Sequence, residues 1–167
     1  MNKHEKKYKE IVNNLIKENF HELEDKNIKI IEIPNIPILG LDSFAERGIR
    51  KTYIFMRKDR RGAPHESLKG QLAHELSHIV LQHHKKSFLG DFYHNIKKAL
   101  SFILGTNFSR QIETKTDKET IKRGFGKEYL ANAKEIEENL SEKELNRLYS
   151  KGYLRPKQIK EEMNKQK

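Results

Sequence analysis

No cysteine occurs among the 167 residues of this chain. That absence excludes disulfides, thiol nucleophiles and every zinc site built on cysteine, so a bound metal would have to be held by His, Asp or Glu. Long apolar runs are also missing: the longest candidate, residues 99–104, falls far short of the roughly 18 apolar residues that a membrane span needs. The first twenty residues, MNKHEKKYKEIVNNLIKENF, contain no apolar stretch of the kind an export signal carries. The expectation is a cytoplasmic protein without a membrane span. Apolar residues are scarce at 35% and are matched by 35% charged residues, which suits one modest core under helices with wide polar faces. The length fits a single domain, or a compact domain with an appendage. No repeat or low-complexity linker divides it.

What the chain has in excess is positive charge, 34 Lys and Arg against 24 Asp and Glu, for a net charge of +10. The excess is uneven: residues 47–61 hold seven basic residues and one acid, Asp59, and residues 151–167 hold six basic residues and two acids. Such patches favour acidic partners or nucleic acid through long-range attraction, but solvated lysines on helix faces produce the same pattern. No zinc knuckle, glycine-rich phosphate loop or helix-turn-helix pattern accompanies them. Nucleic acid is therefore not the expected partner.

Apolar periodicity predicts a mainly helical α+β fold with a small sheet of about two or three strands. Tyr8, Ile11, Val12, Leu15, Ile16 and Phe20 recur at steps of three and four between Lys3 and Asp25, the mark of an amphipathic helix. Residues 27–33 are rich in β-branched side chains and run into Pro34 and Pro37, a strand followed by a loop that residues 40–48 prolong. The clearest strand is RKTYIFMR, residues 50–57, with Thr52, Ile54 and Met56 on one face and Tyr53 and Phe55 on the other. From His65 the period turns helical, with a stripe of Leu68, Leu72, Leu76, Ile79 and Val80. A further helix is expected over residues 92–104, and another from about Asn107 or Ser109 to Gly124, with Lys122 and Arg123 complementing the dipole of its last turn. Residues 126–167 read as two or three short helices punctuated by Gly152 and Pro156.

Residues 74–78 read His-Glu-Leu-Ser-His. On a helix, His74 and His78 lie about 40° apart around the axis and about 6 Å along it, so both imidazoles can grip one ion. Glu75, about 100° from His74 and about 60° from His78, can reach a metal-bound water without becoming a ligand, which makes it the natural general base. Ordinary helix histidines beside a surface glutamate would give the same five letters. Catalytic zinc usually takes three protein ligands and leaves a position open, so a third is needed. His84 has the third-histidine spacing of the metzincin pattern, but Leu81 stands where that pattern requires glycine, and a helical His84 would sit about 15 Å along the axis from His74.

Residues 113–117 read Glu-Thr-Lys-Thr-Asp, and Asp117 is the only one of the five aspartates with a glutamate four residues earlier. The two motifs together resemble the gluzincins, the thermolysin-like zinc metallopeptidases, and the short chain is most similar to the soluble minigluzincins. The resemblance covers roughly residues 50–124. It implies that His74, His78 and Glu113 bind Zn2+, that Glu75 is the catalytic base and acid, and that Asp117 holds a metal histidine through its other ring nitrogen. It also implies a minimal peptidase domain over residues 1–124, with the sheet packed beside the helix that carries residues 74–78. A peptide or protein substrate would then add as a strand along residues 50–57. Thr116 departs from the family, in which many members carry a small apolar residue there. Tyr129, Tyr153 and His94 are positional candidates for an oxyanion donor. Residues 125–167 could complete the domain, mediate self-association, or cover the cleft and keep the isolated protein latent. Two other readings stay open: a regulatory protease that cleaves one partner, of the repressor-cleaving type, and a basic nucleic-acid or protein-binding module with a vestigial metal site.

Overall fold

The computed structural model describes residues 2–34, 43–47, 52–83 and 107–166. Helix α1 spans Lys3–Asn19 and begins with a capping box. Asn2 Oδ1 accepts from the amides of His4 and Glu5, each at 2.9 Å, and Glu5 Oε2 accepts from the amide of Asn2 at 2.8 Å. Tyr8, Ile11, Val12, Leu15 and Ile16 are buried, as their spacing predicts. The helix stops short of the expected Asp25. A 3-10 turn, His21–Leu23, redirects the chain and buries Phe20 and Leu23 in the core.

Three strands follow: β1 (Ile28–Ile33), β2 (Ser43–Arg47) and β3 (Thr52–Arg57). They form one sheet in the order β1-β3-β2, with β1 parallel and β2 antiparallel to β3. Ile54 lies opposite Ile30 on one side and Ala45 on the other. Burial alternates along β3 as predicted, with Thr52, Ile54 and Met56 inward. Strand β2 corrects the sequence reading, which extended a loop through residues 40–48. The segment SFAER has no β-branched residue, so what makes it a strand is pairing with β3 rather than its own propensity. The finding also changes the sheet's edges. Strand β3 is central and bonded on both sides, so the described part of the expected 50–57 strand, Thr52–Arg57, has no free edge for an added substrate strand; among the described residues β2 pairs with β3 alone.

Helix α2 (His65–His83) runs through the middle of the molecule. Leu68, Leu72, Leu76, Ile79 and Val80 join the core formed by α1 and the sheet, while Ser67, Gln71, His74, Ser77 and His78 are equally buried against the helices that follow. Those are α3 (Asn107–Thr120), α4 (Gly126–Asn139), α5 (Glu142–Ser150) and α6 (Pro156–Asn164). The expected stop at Gly124 is present: a π turn, Ile121–Phe125, links α3 to α4, and Gly124 adopts φ 89°, a conformation that glycine enters without steric penalty. The expected helix over residues 92–104, together with His84 and His94, lies outside the described residues.

Helix α4 lies along α2, and the two backbones meet at Gly70. A Cβ there would come within 2.2 Å of Glu128 O and 2.6 Å of Tyr129 N. Gly70→Ala is expected to destabilise the fold by about 3 kcal/mol, because backbone atoms of a neighbouring helix cannot rotate away as a side chain could. A denaturant midpoint equal to that of the wild type would show that the helices do not touch at this point.

Next to this contact, Arg60 is buried with its charge. Its guanidinium meets Glu135 Oε1 at 2.9 Å and Oε2 at 3.0 Å, Gln71 Oε1 at 2.9 Å and Ser67 Oγ at 2.9 Å. Arg61 forms two bonds to Glu32, at 3.0 and 2.6 Å, and Arg57 pairs with Asp59. Three arginines of the basic strip at residues 47–61 are therefore engaged by carboxylates of the same chain.

Candidate metal centre

Two helices build the centre. Along α2, His74, Ser77 and His78 face α3, and from α3 come Glu113, Thr116, Asp117 and Thr120. Successive turns of each helix bring these residues to one seam because positions three and four apart share a helix face. Ser77, between the two histidines, accepts from Thr120 Oγ1 at 3.0 Å. All of these side chains are buried.

The two imidazoles converge on one carboxylate oxygen. Glu113 Oε2 lies 3.5 Å from His74 Nε2 and 3.1 Å from His78 Nε2, and one ligand atom from each of the three residues falls within 4.8 Å of the others. Tetrahedral zinc with bonds of about 2.0–2.1 Å sets its ligand atoms about 3.3 Å apart, so the two histidine-to-glutamate distances have the scale of a coordination edge. His74 Nε2 is buried and, at 3.5 Å from Glu113 Oε2, makes no well-formed hydrogen bond. An orphaned nitrogen aimed at a carboxylate is what a cation between them would satisfy. His74, His78 and Glu113 could thus hold one metal ion, the same three residues that the gluzincin resemblance implies.

Electrostatics favour a cation at this point. Burial disfavours a charged His74, yet its close contacts with Asp117 and Glu113 and the charges of Asp117 and Glu75 outweigh it and hold the imidazole up at about 10. Burial likewise opposes ionisation of Glu113, but the charge of His78 and the close approach of both imidazoles keep its carboxyl well below the usual carboxylate range. The same negative surroundings would favour a metal cation between the two carboxylates, which would take the place of that proton.

Asp117 stands behind His74, its Oδ1 3.0 Å from Nδ1, as the sequence reading expected. It is fully buried and carries two further partners that the sequence did not reveal: the Tyr129 hydroxyl donates to Oδ1, and the Leu154 amide donates to Oδ2 at 2.6 Å. Burial, then the charge of Asp117 and the hydrogen bond it accepts, push the Tyr129 phenol well above its usual range, so it remains a donor. The Tyr129 ring also stacks on His74, with centroids 5.4 Å apart and planes 6° from parallel.

Glu75 follows His74 on α2 and is buried. Tyr153 lies over the centre, its ring centroid 5.7 Å from that of His74 and its hydroxyl facing Glu113 and Glu75; burial, then those charges, raise its phenol well above the usual range. Of the three positional oxyanion candidates, Tyr153 and Tyr129 are therefore beside the centre, although Tyr129 is committed to Asp117. The chain brings Tyr153 there through Gly152, whose φ of 105° and close approach to Arg110 O both exclude a Cβ; Thr114 Oγ1 donates to Gly152 O at 2.7 Å. Such long-range placement has no local sequence signal beyond the glycine itself.

No protein-family model matches the chain, and no curated protein or solved structure matches it.

Proposed function

We propose that the protein is a zinc-dependent peptidase that hydrolyses peptide bonds in a peptide or protein substrate. The observation that carries this reading is the convergence of His74, His78 and Glu113 on one point, with Glu75 one residue along the same helix. His74, His78 and Glu113 would hold the ion. Bound there, zinc would supply Lewis acidity, polarising a carbonyl and acidifying water. The protein's own groups do the rest. Glu75 takes a proton at its carboxylate from the attacking water and passes it to the leaving amine. Asp117 fixes the ring of His74, and Tyr153 presents a protonated hydroxyl beside Glu113 and Glu75, where it can donate to an oxygen that gains charge.

Substrate geometry follows from the corrected sheet. Among the described residues β2 packs on α2 and pairs with β3 alone, so an extended peptide would pair along β2 rather than along residues 50–57. Nucleic acid is a weaker reading, since Arg57, Arg60 and Arg61 are already paired with Asp59, Glu135 and Glu32. No helix among the described residues is long and apolar enough to cross a membrane.

Metal analysis of purified protein alongside cleavage of a peptide library tests the proposal. The expected result is about one zinc per chain and cleavage that a chelator stops and added zinc restores. Cleavage that survives removal of all metal would overturn it.

A further inference from the structure

Asp117 and Thr116 are neighbours on α3, and each faces a different histidine of α2. Asp117 Oδ1 lies 3.0 Å from His74 Nδ1, and Thr116 Oγ1 lies 3.1 Å from His78 Nδ1. Thr116 is fully buried, and its hydroxyl donates to Ile112 O at 2.9 Å within its own helix. A hydroxyl has one proton and two lone pairs. With that proton committed to Ile112, Oγ1 is left as an acceptor, and the group it faces is His78 Nδ1. Acceptance there fixes the proton of a neutral imidazole on Nδ1. With a cation between them, the lone pair is then on Nε2, the nitrogen 3.1 Å from Glu113 Oε2.

We infer that Thr116 is the positioning residue of His78: its hydroxyl passes the hydrogen-bonding capacity of the Ile112 carbonyl to the imidazole and so presents Nε2 to the metal. The inference rests on the metal centre proposed above. It makes the centre asymmetric, with His74 backed by a carboxylate and His78 by a neutral hydroxyl relayed to the backbone. The local helix geometry supports the arrangement. Threonine hydroxyls on a helix commonly bond the carbonyl four residues back, and here that bond leaves the oxygen's acceptor side facing α2. Thr120, one turn later, makes the same bond to Thr116 O at 2.9 Å and faces Ser77, not a histidine. The relay therefore depends on register as well as residue type.

The test compares Thr116→Val, which keeps the volume and loses the hydroxyl, with Thr116→Ser, which keeps the hydroxyl and loses a methyl. Zinc affinity is measured by competition with a chromophoric chelator. On the zinc-loaded proteins, long-range proton–nitrogen correlation spectra read the Nδ1 proton of His78. Expected is a loss of about 10–100-fold in zinc affinity for Val and a change within about threefold for Ser, the scale seen when an outer partner of a metal histidine is removed or kept. The His78 Nδ1 proton should be protected from exchange in wild type and Ser and exposed to exchange in Val. A merely structural role predicts the opposite ranking, with Val the better substitute for a buried side chain. Val binding zinc as tightly as wild type, or Ser binding as weakly as Val, overturns the inference while leaving the metal centre standing. A wild-type protein that takes up no zinc overturns both. Should Val not fold, Thr116→Ala replaces it with the same expected loss.

Discussion

Glu75→Gln is expected to leave the metal in place and to lower kcat by about 10²–10⁴-fold, the usual contribution of a positioned general base. Glutamine matches glutamate in shape, so a buried side chain with 3% exposure loses only its capacity to take a proton. His74, His78 and Glu113 are untouched, and zinc content after dialysis should equal that of wild type. The loss corresponds to about 3–5 kcal/mol of transition-state stabilisation. It should fall on kcat rather than KM, because Glu75 acts on the attacking water and not on substrate binding. Steady-state cleavage of a fluorogenic peptide paired with metal analysis reads both quantities. Undiminished kcat with zinc retained would take the base role away from Glu75, and loss of zinc would show that Glu75 supports the ligands instead.

The second large effect concerns Asp117. It is 0% exposed and meets His74, the Tyr129 hydroxyl and the Leu154 amide, groups from three separate parts of the chain. Asp117→Ala strands all three in the interior, and removing one partner of a buried ionic network typically costs about 3–5 kcal/mol. For a chain of this length that corresponds to a fall in Tm of roughly 6–20 °C. Zinc affinity should drop as well, by about 10–100-fold, since His74 loses the group that orients it. Differential scanning calorimetry with and without zinc separates the two effects. An unchanged Tm in the metal-free protein would mean that Tyr129 and Leu154 find other partners at no cost. Asp117→Asn should be milder, because an amide oxygen can still accept from Leu154 or Tyr129.

What could be seen in the sequence, and what could not, divides along physical lines. The five residues at 74–78, the pairing of Glu113 with Asp117, the stripe of α1 and the alternation of β3 are all local patterns, and period or spacing expresses them directly. Strand β2 escaped because pairing with β3, a non-local interaction, creates it. Arg60 looked like part of an exposed basic strip because composition does not distinguish a solvated arginine from one enclosed by Glu135, Gln71 and Ser67. Tyr129, Tyr153 and Leu154 reach the metal centre through the packing of α4 and the bend at Gly152, and Thr116 does so through the register of α3 against α2. In each case the missing information was which distant surfaces meet.

The bond from the Leu154 amide to Asp117 has one more consequence. A segment that holds Asp117, and through it His74, is energetically coupled to whatever occupies the centre, and such coupling is reciprocal. Any condition that pulls residues 151–154 from their place lowers metal affinity by some factor, and metal occupancy strengthens the hold on that segment by the same factor. Slowed amide exchange at Leu154 on zinc addition would measure that factor from a position that does not touch the ion. Residues 151–154 would thus report occupancy of the centre as well as help to support it.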